Sequence, residues 1–113
     1  MQKIAALSAL AALAAANTAA AACAYPPEID VPNGARATKD EMVAANAAVK
    51  GYMAQVEEYL ACLDREEADL GDAVTDEQKQ LHTTRHNTAV DALNAVAARY
   101  NEQVQAYKKA GGK

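Results

Sequence analysis

The two histidines of this chain, His82 and His86, are the residues whose type and spacing first indicate chemistry. They stand four apart in the segment LHTTRHN, and a helix places residues at that spacing on one face. Two imidazoles on one face suit Zn, Cu or Ni, and a carboxylate is a common further ligand. Glu67 is the nearest carboxylate in the register given below, so one hypothesis is a metal site of His82, His86 and Glu67.

Two other interpretations of this histidine pair stay open. In the first, His86 packs on Tyr59 while His82 and Glu67 form a partly exposed ion pair, as histidines at helix interfaces commonly do. In the second, the pair responds to pH, because an unperturbed imidazole becomes charged at about pH 6.5 and a charged histidine in the seam would loosen the hairpin tip. All three interpretations require one helix that carries both histidines and a second helix that faces it.

The only cysteines of the chain are Cys23 and Cys62. Two cysteines in a small exported domain predict a disulfide, and a bridge closing a loop of about 40 residues would stabilise the fold by a few kcal/mol. Three alternatives remain. They are a tetrahedral metal site of both cysteines with His82 and His86, a bridge between two chains, and acylation of Cys23, since AAAC resembles a bacterial lipobox.

The first 22 residues predict a signal peptide. Lys3 supplies a positive start, residues 4–16 form an apolar segment, and Ala20 to Ala22 provide an A-x-A cleavage site. Cleavage after Ala22 leaves a mature chain of 91 residues. We expect this chain in the periplasm or outside the cell, and we expect no transmembrane segment in it.

Residues 23–37 predict an extended arm, because they contain three prolines and an Asn-Gly pair. A bridge to Cys62 fixes the path of this arm. The 24 residues from Thr38 to Cys62 rise about 36 Å as a helix, and the 15 residues before Thr38 reach at most about 50 Å. The arm must therefore run back along the first helix. Small residues there would form a groove for the apolar side chains of the arm, with Ala44, Ala48 and Gly51 receiving Tyr25, Ile29 and Val31.

Two long amphipathic helices follow the arm. Thr38 and Thr75 each stand three residues before a Glu or Gln, the pattern of a capping box. Apolar residues then recur every seven positions, which predicts helices over residues 38–70 and 75–109. The heptad stripes are Met42, Val49, Val56, Leu63 and Leu70 in the first helix, and His86, Leu93, Tyr100 and Tyr107 in the second.

Only a short turn fits between these helices, so they must run antiparallel. We therefore predict an all-α fold, a long antiparallel two-helix hairpin over residues 38–110 with an extended N-terminal arm pinned by a disulfide, packed like a coiled coil. Symmetry about the turn pairs positions whose numbers sum to about 145, which sets Tyr100 against Ala45 and Tyr59 against His86. One hairpin leaves apolar surface that the arm covers or that a second chain covers in a four-helix bundle.

Composition disfavours several classes of function. The net charge is −4 at pH 7, whereas nucleic-acid binding selects a basic face. The hydrophobic content is largely alanine, with no Phe or Trp, so the core is lean and needs a crosslink or a partner. The sequence has no glycine-rich phosphate loop and no nucleophile elbow. A narrow hairpin also offers no cleft in which the pKa values of two carboxylates could be shifted apart for acid–base catalysis. We therefore expect neither nucleic-acid binding nor enzymatic activity.

The segments YPP, EEYLACLDREEA and RHNTAVDAL make the mature chain similar to small secreted helical proteins of proteobacteria. The segment VTDEQKQL at residues 74–81 resembles the Leu-Thr-x-x-Gln motif of the Spy/CpxP-like periplasmic chaperones and their metal-sensing relatives. Thr75 and Gln78 match that motif, and Val74 stands where it has leucine. The resemblance implies client or envelope-stress binding on an apolar helical surface, with metal binding in some members.

The expected function is a non-enzymatic periplasmic or secreted module for protein interaction, chaperone-like in kind, with an unknown protein or a second copy of itself as partner. Its binding surface would be the part of the stripes that the arm leaves open, drawn from Met42, Val49, Val56, Leu63, Leu93, Tyr100 and Tyr107. The alternative is a metal-binding or metal-sensing module using His82, His86 and Glu67.

Overall fold

The computed structural model describes residues 22–112, so the predicted signal peptide lies outside the described residues apart from Ala22. Two helices dominate this part of the chain, α1 over Lys39–Leu70 and α2 over Asp76–Lys109, and residues 22–112 contain no strand. The helices pack on each other, which confirms the predicted all-α hairpin. Neither helix combines the length and the apolar character needed to cross a membrane.

Both helices begin directly after the threonines that the sequence marks as caps. The Thr38 hydroxyl accepts a hydrogen bond of 3.2 Å from the Glu41 amide, and the Thr75 hydroxyl accepts one of 3.1 Å from the Gln78 amide. In α2 the Gln78 side chain also accepts a bond of 2.9 Å from the Thr75 amide, which completes a capping box. Such caps contribute about 1 kcal/mol each and fix where the helices begin.

A 3₁₀ turn over Gly71–Ala73 reverses the chain between the helices. Gly71 has a φ of +54°, a backbone conformation that side chains with a Cβ rarely adopt. Its amide donates to the Ala68 carbonyl and closes the end of α1. The chain can then return as α2 alongside α1.

The two helices contribute unequally to the core. Seven residues of α1 are buried but only two of α2. The central cluster consists of Val49, Tyr52, Val56, Tyr59 and Leu63 from α1 with Ala89 and Val96 from α2. The face of α1 that is buried is wider because α1 packs against both α2 and the arm.

The arm, residues 23–37, is extended and starts at a covalent anchor on α1. Cys23 and Cys62 form the predicted disulfide, with their Cα atoms 5.7 Å apart. Next to it the Tyr25 ring meets the Tyr59 ring edge-on, with 5.4 Å between the centroids. Further along, Ile29 packs against the central cluster. The arm therefore runs back along α1, as the reach of the chain requires.

The other end of the arm contacts α2. The Gly34 amide donates a hydrogen bond of 2.8 Å to the Gln103 side chain. Between the two anchors, Val31 lines a shallow groove with Ala44 and Ala48, two of the three small residues that were expected to receive the arm. The third, Gly51, is exposed and a Cβ there would meet no atom within 4 Å, so its place in the predicted groove is wrong. Within residues 22–112, the arm thus covers one side of the hairpin from residue 37 to residue 23.

Candidate functional site

Among the residues that the structure describes, none covers the arm side of the hairpin between Cys23 and the turn. Glu66 stands one helical turn beyond Cys62 on the same side of α1, and the arm does not reach it. A pocket of about 260 Å³ lies there between the helices. This tip pocket is lined by Leu63, Glu66, Glu67, Leu70, Val74, Gln78, Leu81, His82 and Arg85.

The walls of the tip pocket are apolar because the stripe of α1 extends past the point where the arm ends. Leu70 is 38% exposed and Leu81 is 56% exposed, whereas Leu63 at the floor is buried. Full burial of a leucine side chain stabilises a fold by about 1.5–3 kcal/mol, and Leu70 and Leu81 contribute only part of that because they are still exposed. The tip is therefore a place where this protein can gain free energy by covering apolar surface.

His82 lies at the edge of the tip pocket between two carboxylates of α1. Its Nε2 is 3.2 Å from Glu67 Oε2 and 3.3 Å from Asp64 Oδ1. The contact with Glu67 is the pairing that the sequence register predicts, and Asp64 was not predicted. When the imidazole is protonated, both contacts are ion pairs, and the exposure of the carboxylates keeps their contribution to stability small.

Arg85 lies on the arm side of the same pocket and was missed by the sequence analysis. Its Nη1 donates a hydrogen bond of 2.9 Å to Glu66 Oε2. The pKa of Arg85 is raised, chiefly by a hydrogen bond with Tyr59. Burial acts in the opposite direction, and the bond to Glu66 raises the pKa further. The register predicted from the sequence is off by nearly two helical turns at residues 66 and 85, so it did not select this pairing.

The second histidine lies beside the first, with 6.3 Å between the ring centroids of His82 and His86. In the part of the chain that the structure describes, no group of three or more His, Cys, Asp or Glu side chains is arranged to hold a metal ion. Metal binding by His82, His86 and Glu67 stays a prediction.

The cysteine alternatives require a correction. A tetrahedral site of Cys23 and Cys62 with His82 and His86 is wrong for this structure, because the sulfurs are bonded to each other and residues 22–112 contain no free cysteine. The same bond occupies the Cys23 sulfur that acylation or a bridge between chains would use.

The predicted binding surface is divided by the fold. Four of its residues are buried under α2 and the arm and are closed to a partner, namely Met42, Val49, Val56 and Leu63. Three residues of α2 are half-buried, namely Leu93, Tyr100 and Tyr107. Leu81 was not predicted as part of the binding surface, because it lies off the heptad stripe of α2. It lines an open pocket only because the arm ends before it reaches this part of the hairpin.

Comparison with protein-family models, with curated proteins and with solved structures found no match to this chain in any of the three. The resemblance to Spy/CpxP-like chaperones therefore stays an expectation, and the function has to be inferred from the side chains themselves.

Proposed function

We propose that this protein is a non-enzymatic interaction module, chaperone-like in kind, that acts in the periplasm or outside the cell. The observation that carries the proposal is the tip pocket, where Leu70 and Leu81 remain exposed at the end of an otherwise covered groove. Its ligand is an apolar segment of another protein that also bears lysine or arginine.

Two features support this compartment. Residues 1–22 contain Lys3, an apolar segment and an A-x-A site in the order that export signals have. The Cys23–Cys62 disulfide is of a kind that persists in oxidising compartments.

The arm supports the proposed mode of binding. It is an extended segment held in the groove between two helices by an aromatic contact at Tyr25, an apolar contact at Ile29 and a hydrogen bond from the Gly34 amide to the Gln103 side chain. The tip pocket follows the arm on the same side of the hairpin. A partner segment in the pocket would extend a binding mode that this protein already uses within its own chain.

The charge of the tip supports the proposed chemistry of the ligand. Residues 64–77 carry seven carboxylates and one arginine. Arg85, the cation inside the pocket, is already paired with Glu66. An acidic rim attracts a basic segment and repels an acidic one, while the leucines supply the apolar contact.

Fluorescence anisotropy tests the proposal with a labelled peptide of alternating leucine and lysine. We expect the peptide to bind the disulfide-bonded protein, and a peptide of alternating leucine and glutamate to bind at least tenfold more weakly. Leu81→Ser removes one wall of the pocket and should raise the Kd about fivefold, the equivalent of about 1 kcal/mol of apolar contact.

Val43→Ser is the matched control for that variant. Val43 is 60% exposed, a fraction similar to the 56% of Leu81, but it lies on α1 far from the pocket. If Val43→Ser and Leu81→Ser weaken binding equally, or if neither weakens it, the tip pocket is not the binding site.

The alternative function is a metal-binding or metal-sensing module using His82, His86 and Glu67. The contact of 3.2 Å between His82 and Glu67 favours it, because two of the three expected ligands already meet. Imidazole and carboxylate are suitable ligands for Zn, Cu or Ni.

A further inference from the structure

The side of the hairpin opposite the arm carries a second apolar surface. At about 100° per residue, Met53 and Leu60 lie on one flank of the buried stripe of α1, whereas Tyr59 and Cys62, which hold the arm, lie on the other. Met53 is 41% exposed. The back face is defined here as this surface, made of Met53 and Leu60 from α1 with the half-buried Val90, Leu93 and Ala97 from α2.

Uncharged amides border the back face along α2. Asn87, Asn94 and Asn101 recur every seven residues there, and each is exposed. Amide side chains lose less hydration free energy on burial than charged side chains do. The centres of protein interfaces are likewise depleted of charged residues. An apolar strip with an amide border is suited to contact with another protein surface.

We propose that two copies of this chain pack back face to back face, antiparallel, into a four-helix bundle. A two-fold axis next to Met53 of α1 and next to Leu93 of α2 makes the back face complementary to itself. The contacts of His82 with Asp64 and Glu67 show which residues of the two helices lie side by side. Counted from these contacts, Met53 and Leu93 lie within one helical turn of each other along the hairpin.

The same axis pairs unlike residues on both helices. On α1 it places Lys50 of one copy opposite Glu57 of the second copy, and both side chains are exposed at the border of the back face. On α2 it places Val90 opposite Ala97 of the second copy, a larger side chain against a small one. An opposite charge and a fitting volume therefore meet at equal distances from the axis.

The charge distribution along the hairpin decides the antiparallel sense. In a parallel pair, the seven carboxylates of residues 64–77 in one copy would lie beside the same seven in the other. In the antiparallel pair, this acidic end lies beside the end that carries Lys108 and Lys109. The tip pocket, on the arm side, stays open in the dimer.

Sedimentation velocity of the disulfide-bonded protein over a concentration series tests this inference. We expect a reversible dimer. Met53→Lys places two like charges at the axis and should weaken the dimer at least tenfold, with helical circular dichroism unchanged because Met53 is partly exposed. Ala47→Lys is the control, since Ala47 is exposed and lies on the outer surface of α1, about 120° around the helix from Met53, and it should leave the dimer unchanged.

A charge exchange tests the antiparallel arrangement. Lys50→Glu should weaken the dimer, and Lys50→Glu combined with Glu57→Lys should restore it. A monomer at every concentration, or a dimer that Met53→Lys leaves intact, would overturn the inference. Loss of the dimer in Met53→Lys without restoration by the exchanged pair would overturn the antiparallel axis.

Discussion

The backbone amide of Gly34 donates a hydrogen bond of 2.8 Å to the side chain of Gln103, which is 69 positions further along the chain. This contact fastens the arm to α2, while the disulfide fastens it to α1. The two backbones approach so closely here that a Cβ on residue 34 would overlap the carbonyl oxygen of Gln103. Each end of the arm is therefore held by a different helix.

Gly34→Ala is expected to lower the free energy of unfolding by about 1–3 kcal/mol, because the arm must withdraw from α2 to accommodate the methyl group. Urea unfolding followed by circular dichroism measures this change. Gly51→Ala is the matched control, since an added Cβ at this exposed helical position meets no atom within 4 Å. It should raise stability by about 0.5–1 kcal/mol. Equal losses in both variants would contradict the close approach at Gly34.

Replacing both Cys23 and Cys62 by serine is expected to lower the free energy of unfolding by about 4 kcal/mol. The chain-entropy model gives this figure for a crosslink across a separation of 39 residues. Urea unfolding of the variant and of the wild type provides the measurement, and the wild type treated with a reducing agent should match the variant. A variant as stable as the oxidised wild type would show that the bridge contributes nothing to the fold.

We expect the protein to lose stability at alkaline pH because of Tyr52. Its side chain is 2% exposed, and burial is the main cause that raises the pKa of its phenol, with Tyr25 and Glu28 adding to the shift and Arg99 opposing it. Because the pKa of this phenol is higher in the folded protein than in the unfolded chain, folding favours the neutral phenol. The stability that Tyr52 contributes is therefore fully present below the unfolded pKa of about 10 and is lost as the pH rises above it.

Unfolding temperatures of Tyr52→Phe and of the wild type through this alkaline range test that expectation. The variant should retain more of its stability than the wild type above about pH 10. Tyr100→Phe, which removes the hydroxyl of a half-buried tyrosine, is the control. If Tyr52→Phe loses stability in parallel with the wild type, the Tyr52 phenol does not account for the alkaline loss.

The histidines separate the two proposed functions. If the protein is an interaction module, Zn²⁺ should leave the unfolding temperature of the wild type unchanged, and His86→Ala, a change that lies outside the tip pocket, should still bind the leucine–lysine peptide. If it binds metal at this site, Zn²⁺ should raise the unfolding temperature of the wild type and of neither His82→Ala nor His86→Ala. The second outcome would move the metal-binding function into first place.

The helices, their caps and the hairpin follow from the sequence because local chemistry determines them. Thr38 and Thr75 satisfy amides only three residues away, and the heptad stripe is a property of consecutive turns. The path of the arm is predictable for a different reason, since the bridge from Cys23 to Cys62 and the length of the intervening chain leave one route.

The details of the tip pocket were not predictable in the same way. The heptad pattern assigns one buried stripe to α1, whereas the arm buries a second flank of it. The pairing of Arg85 with Glu66 and the exposure of Leu81 depend on how far the helices rotate about their axes and on where the arm ends. These quantities are set by packing over the whole molecule, which periodicity does not encode.

The bridge also determines how this protein would respond to a stretching force applied at its two ends. Tension on residues 23 and 112 passes through the sulfurs to residue 62, so residues 24–61 between the cysteines bear no load. Only the last 50 residues can extend, which limits the length released to about 180 Å at full extension. The arm and most of α1 would stay shielded from the pull until the disulfide is reduced.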